Sequence, residues 1–398
     1  MNRPAKSVGR TIALVVHSYC PSDVRVWRYA VGLRRAGWEV EVHCLRNDGQ
    51  LGEEVIGSIR VVRTAIRRRR GSLGRYALEY GVFTAAACWR LLVRRRRPDV
   101  VHVHTPPDFL VFAALPARLR GARILLDLHE IMPEFFQQKY GASVGHVAIR
   151  ALRAVERASI RFADRAVTVS EPLRERFIER GADASRMTVV MNAPDGDAFP
   201  HGASAYLDGK GPEDRYRLVY HGTMTSLYGV DLAIRALAMT RERWPFRLDL
   251  YGDGEEMRAL VAQAAESGVA DRVVFHGLVP HGEIPGILRT AGAGLIATRP
   301  GPLSDLSLSN KLLEMLWVGL PVVAADLPSY RRYLGPDAAL YFRAGDVDSL
   351  AQSLARLAGL TDAERASLGR RAAAVAFQWH WQDELRHYLE VLEGLCGD

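Results

Sequence analysis

Lysine is scarce. The chain has 53 Lys+Arg, yet only Lys6, Lys139, Lys210 and Lys311 are lysines, so nearly every positive charge is a guanidinium. Cysteine is scarce too. Cys20, Cys44, Cys88 and Cys396 are scattered without CxxC spacing, which argues against a disulfide scaffold or zinc ribbon and for a reducing compartment. Long apolar runs are missing. Ile12–Val16 is shorter than the roughly 7–15 residues of a secretory signal core. Val82–Val93 is interrupted by Arg90 and falls short of the roughly 18 residues of a membrane span. A soluble, cytoplasmic protein is the expectation. No GxGxxG follows Val16, and HExxH and GxxxxGK[ST] do not occur, so the dinucleotide, zincin and P-loop signatures are absent.

With 35 Gly and 19 Pro in 398 residues, 48% apolar and 25% charged, the composition is that of an ordinary globular protein. The length exceeds one common domain and suggests two. Charge is uneven: residues 1–200 carry 33 Lys+Arg against 20 Asp+Glu, whereas the rest is net acidic. Two clusters dominate the basic half, Arg67, Arg68, Arg69 and Arg70, then Arg94, Arg95, Arg96 and Arg97. Between them Tyr76–Val93 is a mixed apolar segment of helical length. That combination suits an anionic membrane surface or a solvated helix end; nucleic acid is not the expected partner.

Hydrophobic patterning alternates strand and helix through both halves. TIALVV (Thr11–Val16), EVEVHCL (Glu39–Leu45), DVVHVH (Asp99–His104) and RILLDL (Arg123–Leu128) read as strands, with Val24–Ala36 and Val147–Phe162 among the intervening helices. The rhythm resumes with strands at Arg217–His221, Phe246–Gly252, Arg272–Gly277, Ala293–Ala297 and Pro321–Ala325. Strict alternation predicts parallel sheets covered by helices. The expected fold class is α/β: two doubly wound, Rossmann-like domains facing across a cleft at the carboxyl ends of their strands, where such sheets bind ligands. The turn-rich stretch Asn192–Glu213 reads as the link between them. Domain boundaries are set at 1–195, a linker at 196–213, 214–375, and a last helical segment at 376–398 that packs back on the first domain.

The segment DLSLSNKLLEMLWVGLP (Asp305–Pro321) carries the sharpest chemistry. Ser307 or Ser309 can cap the helix that follows. Lys311 and Glu314 share one face of its first turns, where free N–H groups and the dipole favour an anion. An ammonium there suits a diphosphate, and a carboxylate one turn later can accept two hydrogen bonds from a vicinal diol such as a ribose. The same spacing also fits an ordinary surface ion pair. The D-x-D triplets Asp195-Gly-Asp197 and Asp346-Val-Asp348 lie in the linker and at a helix start, so neither a metal nor another cofactor is expected.

NKLLEMLWVGLP (Asn310–Pro321), HGTMTSLYGVDLAIRAL (His221–Leu237), LYGDGEE (Leu250–Glu256) and VVFHGLVPHGEIPGIL (Val273–Leu288) together resemble the nucleotide-sugar site of the retaining glycosyltransferases of family 4, with the two-domain GT-B fold. The resemblance runs from about Ile12 to Leu392 and is stronger in the second half. It implies transfer of a sugar from a nucleoside-diphosphate donor to an acceptor hydroxyl, without a metal. It implies a donor site of Gly222, Thr223, Tyr228, Gly229, Gly252, Arg299, Ser309, Asn310, Lys311 and Glu314, with Glu314 on the ribose. Two departures stand out. The first carboxylate of the family's E-x7-E pair is Leu306 here. The Arg and Lys that hold the diphosphate are Thr223 and Tyr228, which leaves Lys311, Arg299 and helix termini to compensate it. In the first half, DLHEIMPEFF (Asp127–Phe136) resembles the family's histidine loop, implying catalytic roles for His129 and Glu130. Asp23, Arg25 and His104 fall on the acceptor side. The basic clusters then suggest a lipid-linked acceptor in polysaccharide or cell-envelope synthesis. An epimerase of the same fold, or a sugar-nucleotide-binding protein without catalysis, is the alternative.

Overall fold

The computed structural model describes residues 9–66, 73–141, 145–196, 199 and 213–397. They form two compact units, Met1–Asn192 with Asp383–Asp398, and Ala193–Gln382. The basic run Arg67–Arg70, Asp197 and most of the expected linker lie outside the described residues.

The strands of the first unit are β1 (Thr11–Tyr19), β2 (Glu39–Leu45), β3 (Glu53–Ile56), β4 (Ile59–Thr64), β5 (Val100–His104), β6 (Arg123–Leu128), β7 (Arg165–Thr168) and β8 (Met187–Val189). They form one eight-stranded sheet in the order β3-β4-β2-β1-β5-β6-β7-β8. Uninterrupted apolar runs such as Ile12–Val15 are needed because helices cover both faces of the central strands, and all four residues are fully buried. The expectation of purely parallel pairing needs one correction: β3 runs antiparallel to β4. The turn at Gly57 and Ser58, both at positive φ, folds this hairpin onto the sheet edge. A second difference lies after β6. The histidine loop gives way at once to a helix, Met132–Tyr140, because Pro133 in its first turn pre-sets helical φ where no intrahelical N–H is required.

The second unit contains β9 (Arg217–His221), β10 (Arg247–Tyr251), β11 (Val273–Gly277), β12 (Ala293–Ile296), β13 (Val322–Asp326) and β14 (Leu340–Arg343), ordered β11-β10-β9-β12-β13-β14. Every pairing among them is parallel. Its core is continuous from Leu218 on β9 through Leu312, Leu316 and Trp317 to Leu354 and Leu357, and each such side chain contributes about 1.5–3 kcal/mol by leaving water.

The order of strands positions both sites. In the first sheet the sequence of connections reverses between β1 and β5, and in the second between β9 and β12. Helices leave such neighbouring strands towards opposite faces, so a crevice opens at their carboxyl ends.

The segment expected to cross as one piece, 376–398, is divided. Phe377 stacks on Trp317 with ring centres 5.2 Å apart, and Trp379 meets Tyr333 edge-on at 5.8 Å, both within the second unit. The helix Trp381–Cys396 contributes residues from Asp383 onward to the first unit. There Leu385 occupies the space a side chain on Gly32 would fill, 2.6 Å from the position of a Cβ.

Candidate functional site

In the second unit β9 ends at His221 and the chain turns through Gly222 at φ +119°, a conformation L side chains rarely adopt. A Cβ at Gly222 would lie 2.0 Å from Cε of Lys311. The missing side chain is therefore the slot in which Lys311 rests. Its ammonium stands 3.8 Å from the centre of the Tyr228 ring and 5.9 Å from that of Tyr220, so the two rings stabilise its charge by cation–π attraction. Tyr220 is fixed in turn by its hydroxyl, which donates to the Thr223 carbonyl at 2.6 Å.

Lys311 belongs to the helix Asn310–Trp317. Ser309 caps it, Oγ accepting from the Leu312 N–H at 3.4 Å. Leu312, Leu313, Met315, Leu316 and Trp317 are buried, and the Trp317 indole donates to the Phe199 carbonyl at 2.7 Å. That packing leaves Lys311 and Glu314 on the remaining face. Two imidazoles flank the Glu314 carboxylate, Nε2 of His281 at 3.3 Å and Nε2 of His221 at 3.5 Å. Burial pushes His221 down to about 4, with the Lys311 and His281 charges adding to burial and Glu314 opposing it. His221 is thus a neutral imidazole at physiological pH.

Two further glycines let backbone approach backbone. At Gly252, φ +135°, a Cβ would sit 2.0 Å from the Gly222 carbonyl oxygen. Amide bonds lock the same loops, Gly222 N–H to Tyr251 O at 2.8 Å and Gly252 N–H to Gly277 O at 2.7 Å. At Gly229, φ +63°, a Cβ would meet the Ala297 carbonyl oxygen at 2.1 Å. This residue opens the helix Val230–Thr240 at the strand ends. Arg299 buttresses the approach to that helix: its Nε donates to Ser226 O at 3.1 Å and its guanidinium pairs with Asp231. Thr223 and Asn310 are exposed beside these groups.

Thus the carboxyl ends of β9 and β12 gather Gly222, Tyr228, Gly229, Ser309, Lys311 and Glu314, with Gly252 supporting Gly222. They offer one cation, the free N–H groups opening two helices, and a carboxylate. That set can hold a diphosphate and a diol.

In the first unit, the crevice between β1 and β5 is a groove of about 380 Å3. Its lining includes His17, Arg25, Tyr80, His129, Glu130 and Lys139. Phe135, Phe136 and Tyr140 add aromatic faces from the helix Met132–Tyr140. Asp23, also on the groove, caps the helix Val24–Arg35, its carboxylate accepting the Val26 N–H at 3.2 Å. Beneath the groove lies Asp127, 1% exposed. Its carboxylate hydrogen-bonds Arg25 at 3.3 Å and Nδ1 of His104 at 3.1 Å, while Nδ1 of His129 at 3.3 Å and Nε2 of His102 at 3.7 Å lie beside it without a hydrogen bond. Nε2 of His129 meets Nδ1 of His104 at 3.3 Å. Both nitrogens of His129 therefore face this buried cluster while its ring borders the groove. Burial holds His104 at about 3 and His102 well below the ordinary range, so both are neutral. Asp108, which closes the turn after β5, is fully buried and its carboxyl is pushed up to about 8 by desolvation, with Glu156 and Glu130 adding to it.

Of the second basic cluster, Arg94 pairs with the buried Glu41 at 3.2 Å, Arg96 with Glu39 at 3.6 Å, and Arg97 donates to Gly121 O at 3.0 Å. Sequence reading missed Tyr220, His221 and His281 around the donor-side helix, and Asp127, His102 and Tyr388 beneath the groove. No periodicity links these residues to their partners, since strand order and, for Tyr388, the return of the C-terminal helix bring them together.

The chain matches the glycosyl transferase 4-like domain over residues 22–193 and the glycosyl transferases group 1 domain over residues 215–359. It is 25% identical over 251 residues to the putative colanic acid biosynthesis glycosyl transferase WcaI of Escherichia coli K12, spanning 61% of each chain. It is 28% identical over 329 residues to a GDP-mannose-dependent α-(1-6)-phosphatidylinositol monomannoside mannosyltransferase of Mycolicibacterium smegmatis, covering 78% of this chain and 80% of the relative. The fold is that of Anabaena HepE, solved in complex with UDP and glucose, with TM-score 0.68, 18% identity and coverage of 96% and 99%. With both domains present in order and two parallel α/β units of that fold, the chain belongs to the family 4, group 1 glycosyltransferases of the GT-B type.

Proposed function

We propose that the enzyme transfers a sugar, with retention of anomeric configuration, from a nucleoside-diphosphate sugar bound by the second unit to an acceptor hydroxyl in the groove of the first. One observation carries the reading: Lys311 and Glu314 share a helix face at the strand ends, with Lys311 seated in the slot left by Gly222. The ammonium and the helix N–H groups meet the diphosphate, and Glu314 receives the ribose diol. HepE's complexes with UDP and UDP-glucose support a donor of this chemistry. In the reaction the bond between C1 and the phosphate oxygen breaks and the acceptor oxygen bonds C1 on the same face. The departing β-phosphate takes the acceptor proton, so charge accumulates beside Lys311, where electrostatic stabilisation is most effective. His129, Glu130 and Arg25 border the acceptor, while Arg299 acts through the loop before Gly229.

Incubation with a panel of labelled nucleoside-diphosphate sugars and glycan acceptors tests this. Transfer with retention is expected. An epimerised donor, or binding without turnover, would replace the reading with one of its alternatives. Glu314→Gln is expected to weaken donor binding about tenfold, the loss of one charge-assisted hydrogen bond, while free pyrophosphate binds as before.

We further propose that the acceptor is lipid-linked and that the first unit meets an anionic membrane surface. No described helix is long and apolar enough to cross a bilayer. The helix Leu73–Val93, however, exposes Leu78, Val82, Trp89, Leu92 and Val93 along one side, and Arg95, Arg96 and Arg97 are exposed at its end. The mycobacterial relative named for a phosphatidylinositol-linked acceptor favours the same reading. Binding to vesicles containing phosphatidylglycerol is expected to fall at least tenfold when Trp89 and Leu92 become serine. Unchanged binding removes the membrane assignment.

A further inference from the structure

The C-terminal helix reaches the cluster beneath the groove. Tyr388 is fully buried, and its hydroxyl lies 2.8 Å from Nδ1 of His102, itself fully buried. A buried phenol must donate its proton, and the partner found here is that nitrogen. Nδ1 of His102 is therefore the acceptor, which places the ring proton on Nε2, the nitrogen facing Asp127 Oδ2 at 3.7 Å. The alternative tautomer would aim a lone pair at a carboxylate oxygen. Asp127 in turn hydrogen-bonds Arg25 at 3.3 Å and lies 3.3 Å from Nδ1 of His129, and both residues line the groove.

Resting on the reading of the groove as the acceptor site, we propose that Tyr388 is a positioning residue. By fixing the His102 tautomer it keeps Asp127 anchored, and through Asp127 it sets the attitude of Arg25 and His129 toward the acceptor. The charged and titratable groups around Asp127 are Arg25, Arg28 and Tyr29 from the helix Val24–Arg35, Asp23 at its cap, His102 and His104 from β5, His129, and Tyr388 from the C-terminal helix. None besides Tyr388 is placed on Nδ1 of His102. This is a second task for the last helix besides packing, and it explains a buried tyrosine opposite a buried histidine where two apolar residues would pack as well.

Tyr388→Phe removes one oxygen and keeps the ring. Long-range proton–nitrogen spectra of the full-length wild type are expected to show His102 as the Nε2–H tautomer, and the phenylalanine variant as a mixture with the Nδ1–H form. The variant is expected to lower kcat/KM for the acceptor about five- to tenfold, the worth of one buried hydrogen bond, with donor KM within twofold of wild type. Finding His102 as Nδ1–H in the wild type, or unaltered acceptor kinetics in a variant whose His102 tautomer has changed, overturns the assignment. Wild type that transfers no sugar from any donor counts against the proposed reaction instead. The tautomer spectra then decide the relay by themselves, and in wild type they require no variant to fold.

Discussion

Lys311→Met is expected to lower kcat/KM for the sugar nucleotide about 100-fold, equivalent to about 2.7 kcal/mol of transition-state stabilisation. Methionine keeps most of the stem that fills the slot beside Gly222 and removes only the charge. Stability should therefore change by no more than about 1 kcal/mol, the worth of the lost contact with the Tyr228 ring. Two features make the effect large. Thr223 and Tyr228 stand where relatives by resemblance carry cations, and the Arg299 guanidinium is paired with Asp231. A ligand-induced melting shift with UDP or GDP separates the two causes of failure. The shift should shrink in the variant while the unliganded melting temperature holds. Donor kinetics within threefold of wild type would mean that backbone N–H groups, not Lys311, compensate the diphosphate.

Gly252→Ala should cost about 3 kcal/mol or more, because two penalties coincide. Its φ of +135° is a strained conformation for alanine, at about 1–3 kcal/mol. The new Cβ would fall 2.0 Å from the Gly222 carbonyl oxygen, and forcing a methyl group into packed space costs about a further 1–3 kcal/mol. The obstacle is backbone, tied by the Gly222 N–H to Tyr251 O bond, so it cannot swing aside as a side chain would. For a unit of this size the melting temperature should fall by roughly 6–12 °C. Because the displaced loop is the one that shapes the Lys311 slot, donor affinity should fall with it. Gly286→Ala is the control. It lies in the helix Ile284–Thr290 with nothing within 4 Å of its Cβ position, and alanine there should be neutral or stabilising by up to about 1 kcal/mol.

Much of the donor side could be read along the chain. The Ser309 cap, the apolar spacing of Leu312, Leu313, Met315 and Leu316, and the shared face of Lys311 and Glu314 are all consequences of local periodicity. The βα rhythm announced parallel sheets for the same reason. The β3 hairpin escaped because a short, half-exposed edge strand lacks the unbroken apolar signature of a buried one. The helix Met132–Tyr140 escaped because its polar positions mask the pattern. On the acceptor side Asp127 looked like one more residue at a strand end. Nothing in RILLDLHE announces that its carboxylate is buried beside two histidines of the neighbouring strand β5, one of them hydrogen-bonded to a tyrosine more than 250 positions away.

From residue order alone came the elements, their alternation and the helix that carries Lys311 and Glu314, since propensity, capping and apolar spacing act over a few neighbouring positions. Strand order was decided only on folding, and with it the meeting of β1 with β5 and of β9 with β12. So was the company each polar group keeps: His221 loses its proton because it is enclosed, and Lys311 finds Tyr228 because a turn without a side chain lets it through. Burial and close approach join residues far apart in the chain, and no local pattern encodes them.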